Sequence, residues 1–73
     1  MSASWQEFQH VRSKVRDLSD NVTWFSRKRD ESQTPEDYVH FSRECNRTIK
    51  EQSDLMARET ELYFAVCNEV DKK

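Results

Sequence analysis

The residues best suited to chemistry in this sequence are two cysteines and two histidines. Cys45 and Cys67 stand 22 residues apart on one predicted helix, so at about 1.5 Å per residue they are roughly 33 Å apart. A disulfide cannot span that distance, so we expect reduced thiols and a cytoplasmic protein. His10 and His40 have no helical neighbour suited to a metal except Glu44, four residues after His40. One such pair is weak evidence, so we predict no metal site and no cofactor.

Catalytic chemistry has little support in the sequence. The chain contains no glycine, and glycine-rich loops are what usually cradle phosphates. No Ser/His/Asp or Cys/His arrangement stands out, and a chain built from two helices offers no deep pocket of its own. We therefore predict that the protein is not an enzyme. Cys45 is expected to pack within the helix pair, whereas a redox or intersubunit role stays open for Cys67.

A basic cluster could contact nucleic acid. Arg27, Lys28 and Arg29 follow Trp24, a combination that can join phosphate contacts to base stacking. Against this, Asp30 comes next, and the chain as a whole has a net charge of −2. Nucleic-acid binding through these three basic residues is therefore an alternative rather than the first hypothesis.

The elements that hold these residues are indicated by the near absence of chain breakers. The 73 residues include no glycine and a single proline, Pro35, and these two residue types are the strongest local interruptions of structure. Thr34 can cap a helix that has Pro35 in its first turn. We predict one domain over residues 1–73, with a helix at 4–30, a turn at 30–34 and a helix at 35–71. Ser4 is the predicted N-cap of the first helix.

The apolar residues predict an antiparallel, coiled-coil-like hairpin. Those of the first helix recur at steps of three and four: Phe8, Val11, Val15, Leu18, Val22 and Phe25. The stripe of the second helix is wider and is interrupted by Gln52 and Glu59. These two residues either set the register or the choice of partner, at some cost in stability, or mark a point where packing loosens. Such a narrow core in so short a chain is marginal. We therefore expect it to be completed by oligomerisation or by a partner helix.

The second helix is predicted to be the longer one, and its excess is apolar. With Trp5 placed beside Glu59, everything beyond about Thr60 is expected to lack an intrachain neighbour. An apolar segment of this kind is a candidate interface, and its predicted partner-binding residues are Leu62, Tyr63, Phe64, Val66, Cys67 and Val70.

The residues around the turn also support a family resemblance. Arg27, Lys28 and Arg29 before the turn, with Pro35, Glu36 and Tyr38 after it, resemble the small co-chaperones of type III secretion needle subunits over about thirty residues. The long second helix and the two tryptophans depart from that pattern. The resemblance implies a hairpin that shields an aggregation-prone helix of its partner.

Together these patterns predict an all-α, non-enzymatic module for protein–protein interaction, acting as an adaptor, an assembly factor or a small chaperone. Its expected partner is itself, as a dimer or higher oligomer, or the helix of another protein. Nucleic acid is a less favoured partner, and no stretch approaches the length of a membrane-spanning helix.

Overall fold

The fold is an antiparallel pair of α-helices. A computed structural model describes residues 3–72, in which α1 spans Ala3–Asp30 and α2 spans Pro35–Asp71. The hairpin is a rod of 58 × 15 × 14 Å. The predicted all-α hairpin is confirmed. Because α1 already includes Ala3, Ser4 lies inside the helix, and its predicted role as N-cap is wrong.

The turn ends where the Thr34-Pro35 pair predicts. Thr34 has an extended backbone, with φ −128° and ψ 151°, and its hydroxyl accepts a hydrogen bond from the Asp37 amide at 3.2 Å. That bond satisfies one of the free amides in the first turn of α2. At the other side of the turn, the Ser32 hydroxyl donates to the Lys28 carbonyl at 2.9 Å. Both helix ends are therefore closed by side chains next to the turn.

Removing this cap should weaken the hairpin measurably. We expect Thr34→Ala to lower the free energy of unfolding by about 1 kcal/mol, the usual value for an N-cap hydroxyl. Thermal unfolding followed by circular dichroism measures the effect, with Gln33→Ala as the matched control. Equal melting temperatures for the two variants would mean that the cap contributes nothing.

The core between the helices is thin. Among residues 3–72, three apolar side chains are buried: Val11, Cys45 and Leu62. Thr48 is buried as well, and its hydroxyl donates to the Glu44 carbonyl at 2.8 Å, so it adds no unpaired polar group to the core. The other residues of the α1 stripe are only partly covered. A second surface could therefore still pack against this hairpin.

Polar contacts between the helices fix their register. The Gln52 amide donates to the Ser19 hydroxyl at 3.0 Å and lies 3.4 Å from the Val15 carbonyl. Further along, Arg58 pairs with Glu7 at 2.8 Å. Of the two alternatives left open for Gln52, these contacts favour the one in which it sets the register.

The expectation that the chain beyond Thr60 has no intrachain neighbour is wrong at Leu62. This side chain is only 3% exposed, so the hairpin core extends at least two residues further towards the C-terminus than predicted. Leu62 lies seven residues, about two helical turns, after Leu55 and therefore falls on the same inner side of α2.

Candidate interaction surface

The C-terminal part of α2 carries a group of outward-facing apolar side chains. Of its predicted partner-binding residues, Tyr63 is 53% exposed, Phe64 59% and Val70 61%. Val66 and Cys67 are partly buried. We call these five residues the C-terminal face. Leu62 does not belong to this face because it is packed inside the hairpin.

The helical repeat explains why adjacent residues differ so sharply. Each step along an α-helix turns the side chain by about 100°. Leu62 faces α1, so Tyr63 and Phe64 must turn progressively away from it. The helix α2 is also longer than α1, at 37 residues against 28, so α1 covers less of its final turns.

The side chains of the C-terminal face contact one another. The rings of Tyr63 and Phe64 meet edge to face, with centroids 5.6 Å apart and planes at 67°. A hydrogen bond with the Cys67 side chain, one turn further on, raises the pKa of the Tyr63 phenol, and the electrostatic interaction with that side chain raises it further. Tyr63 is therefore neutral over the physiological range.

The exposed apolar surface extends further along α2 than the sequence analysis predicted. Ile49 is 45% exposed and Met56 51%. With Tyr63 and Val70 they recur at intervals of seven residues. Met56 and Tyr63 each follow a leucine of the inner side, Leu55 and Leu62. This spacing of seven residues is the sequence signal that could have identified the exposed row.

The opposite edge of the hairpin is charged. Arg58 pairs with Glu7 of α1 at 2.8 Å and with Glu61 at 3.1 Å. Hydrogen bonds to these two carboxylates raise the pKa of the Arg58 guanidinium above its already high value. Arg47 pairs with Glu44 in the same helix. Water solvates such exposed pairs well, so this edge needs no covering partner.

The basic cluster near the turn is engaged within α1. The Lys28 ammonium lies over the Trp24 ring, 5.6 Å from its centroid. Arg29 donates to the Ser26 hydroxyl at 3.2 Å and pairs with Asp30 at 3.4 Å. Trp24 also meets the edge of Phe41 on α2, at 6.2 Å between centroids. Its ring is therefore partly committed to packing between the helices.

Neither histidine belongs to a cluster of metal-ligand type. Within residues 3–72, no three His, Cys, Asp or Glu side chains come close enough to hold a metal ion. His10 and His40 are exposed, and His40 packs against the Phe41 ring, 5.1 Å between centroids. Cys45 and Cys67 are both free thiols on α2.

A surface groove lies between the two helices, beside Lys14 and Leu18 of α1 and Glu51 and Leu55 of α2. Over the same residues, neither helix contains a segment sufficiently long and apolar to cross a lipid bilayer.

Comparison of the chain with protein-family models, with curated proteins and with solved structures found no match.

Proposed function

We propose that this protein is a non-enzymatic, cytoplasmic interaction module that binds an apolar helix of a protein partner through the C-terminal face of α2. It would act as an adaptor, an assembly factor or a small chaperone. The observation that carries the proposal is the clustering of Tyr63, Phe64 and Val70, each more than half exposed, within two turns of one helix.

The energetics of this face favour a covered state. Burying a side chain of this size contributes roughly 1.5–3 kcal/mol, which is large beside the few kcal/mol of stability expected for a short hairpin. The face is a strip along a helix, so a second helix is the partner that fits it best. Aromatic residues are also enriched at the centres of protein interfaces.

The alternative, nucleic-acid binding by Arg27, Lys28 and Arg29, draws less support from the contacts. Lys28 and Arg29 are engaged with neighbouring side chains of α1, and Trp24 packs against Phe41. Salt separates the two proposals, because phosphate binding weakens steeply as salt rises, whereas apolar packing does not. For the co-chaperone alternative, the partner would be an aggregation-prone helix bound at the same face of α2.

Adding charge to the C-terminal face should abolish binding without unfolding the hairpin. We expect the double variant Tyr63→Glu, Val70→Glu to lose self-association and partner capture, because two carboxylates would have to be desolvated in the interface. Both residues are exposed, so the helical signal in circular dichroism should be retained. The matched control, His40→Glu with Asn68→Glu, adds two carboxylates at other exposed positions of α2.

The comparison is made by sedimentation and by affinity capture with the wild-type chain and both variants. The proposal expects the wild type and the control to associate, and the Tyr63→Glu, Val70→Glu variant to remain a monomer of 8.8 kDa and to capture nothing specific. Identical sedimentation and identical captured chains for all three would show that the C-terminal face is not an interface.

A further inference from the structure

The helix α2 carries an uncharged stripe in addition to its contact with α1. Of its 37 residues, 13 are Asp, Glu, Lys or Arg, yet none of these lies on a set of ten positions from residue 39 to residue 70. The ten positions follow one another at alternating steps of three and four, the spacing of a coiled-coil seam. The helix therefore has a second seam, which α1 does not occupy.

The stripe consists of one row of large side chains and one row of small ones. The large row comprises Ile49, Met56, Tyr63 and Val70, all 45–61% exposed. The small row comprises Asn46, Ser53, Thr60 and Cys67. At the N-terminal end, Val39 extends the small row with a large side chain that is 44% exposed. Ser42 extends the large row with a small side chain that is partly buried, its hydroxyl oxygen covered within the hairpin. The large row lies one position after Thr48, Leu55 and Leu62, so it is turned by about 100° from the side that faces α1.

We propose that the occupant of this stripe is a second copy of the same chain, with its α2 running antiparallel. The inference rests on the proposed function, since it names the partner that the C-terminal face binds. Between two parallel copies, each row would meet itself, and large side chains would collide while small polar ones faced each other. In an antiparallel pair, the large row of one copy meets the small row of the other. Facing large and small side chains interdigitate without leaving voids.

One register sets the exposed positions of the stripe against one another. It places Met56 against Ser53 of the second copy, Ile49 against its Thr60 and Tyr63 against its Asn46. The two-fold axis then passes between residues 54 and 55. Every contact occurs twice, as a symmetric dimer requires. Tyr63 and Val70 of each C-terminal face are then covered by the N-terminal half of the other α2.

A cysteine cross-link tests the register in the full chain. The register sets Val39 of one copy against Val70 of the other, and both are exposed in the hairpin, whereas within one copy these two positions are 31 residues apart on one helix, about 46 Å. On mild oxidation of the Val39→Cys, Val70→Cys variant, we expect a covalent dimer of twice 8.8 kDa, with a disulfide that joins the thiol introduced at position 39 to the thiol introduced at position 70 of the second copy. The control Ser13→Cys, on the exposed side of α1, should give no such bond.

A second variant tests the pairing without oxidation. Met56 lies beside the two-fold axis, so Met56→Lys brings two ammonium groups together in the interface. We expect this variant to sediment as a monomer while the wild type and the Asn68→Lys control sediment as dimers. Each of these variants replaces a side chain that is exposed in the hairpin, so its fold should be retained.

Each outcome separates this inference from the proposed function. A disulfide between two Cys67 residues in the oxidised wild type would mean a parallel pair, and would overturn the register while the C-terminal face remained an interface. A monomeric wild type, together with no 39-to-70 cross-link in the double-cysteine variant, would overturn self-pairing. If such a monomer still captured a protein that the Tyr63→Glu, Val70→Glu variant did not, the proposed function would stand with another partner.

Discussion

Replacing Leu62 by aspartate is expected to unfold the hairpin, whereas the same replacement at Tyr63 leaves it folded. Leu62 is 3% exposed and Tyr63 53%. Truncating a buried leucine already costs about 2–5 kcal/mol, and a carboxylate at that site must also be desolvated without a partner. The sum reaches or exceeds the whole stability expected for so short a domain. Far-UV circular dichroism and thermal unfolding of the two variants measure the difference.

This pair of variants also tests the corrected extent of the core. If both variants melted at the same temperature as the wild type, Leu62 would not be part of the hairpin core. In that case the α1 contact would end near Thr60, as first predicted. If both variants unfolded, the association of chains through Tyr63 would be required for folding itself. The structure predicts that Leu62→Asp loses its folded state and that Tyr63→Asp keeps it.

Replacing the two polar residues at the contact between the helices is expected to stabilise the hairpin. Gln52 and Glu59 are partly buried where leucine is the usual occupant. We expect Gln52→Leu with Glu59→Leu to raise the free energy of unfolding by about 2 kcal/mol, since two partly buried leucines outweigh one hydrogen bond of about 1 kcal/mol. For a domain of this size, that corresponds to a melting temperature higher by about 10 °C.

The matched control places two leucines where α1 cannot reach them. Lys50 and Asn68 are exposed, so Lys50→Leu with Asn68→Leu should leave the melting temperature of the dilute chain nearly unchanged. A lower melting temperature for the Gln52→Leu, Glu59→Leu variant would mean that the contact from Gln52 to Ser19 stabilises the hairpin more than apolar burial does. Heterogeneous assembly of a more stable variant would support the role of Gln52 in setting the register.

The fold was predictable because its determinants are local. Pro35 and Thr34 fix the start of α2 through backbone geometry and a single capping bond, and both act within four residues. The steps of three and four in α1 identify its inner side without reference to α2. These features predict two helices and their antiparallel order.

The exact extent of the interface was not predictable, because it depends on how the two helices dock. Leu62 and Tyr63 are adjacent apolar residues in the sequence, and only the register set by the Gln52 and Arg58 contacts buries one and exposes the other. The exposure of Ile49 and Met56 follows from the same register. A wide apolar stripe indicates that a helix has more than one packing side, but its width does not say which residues belong to which side.

The most direct test of the C-terminal face as an interface is the sedimentation of the wild-type chain beside the Tyr63→Glu, Val70→Glu variant, at low and high salt. We expect the wild type to sediment as an assembly heavier than 8.8 kDa that persists as salt rises, and the variant to sediment as a folded monomer. A wild type that remains a monomer at both salt concentrations and captures the same chains as the variant would contradict the proposal that α2 binds its partner through Tyr63, Phe64 and Val70.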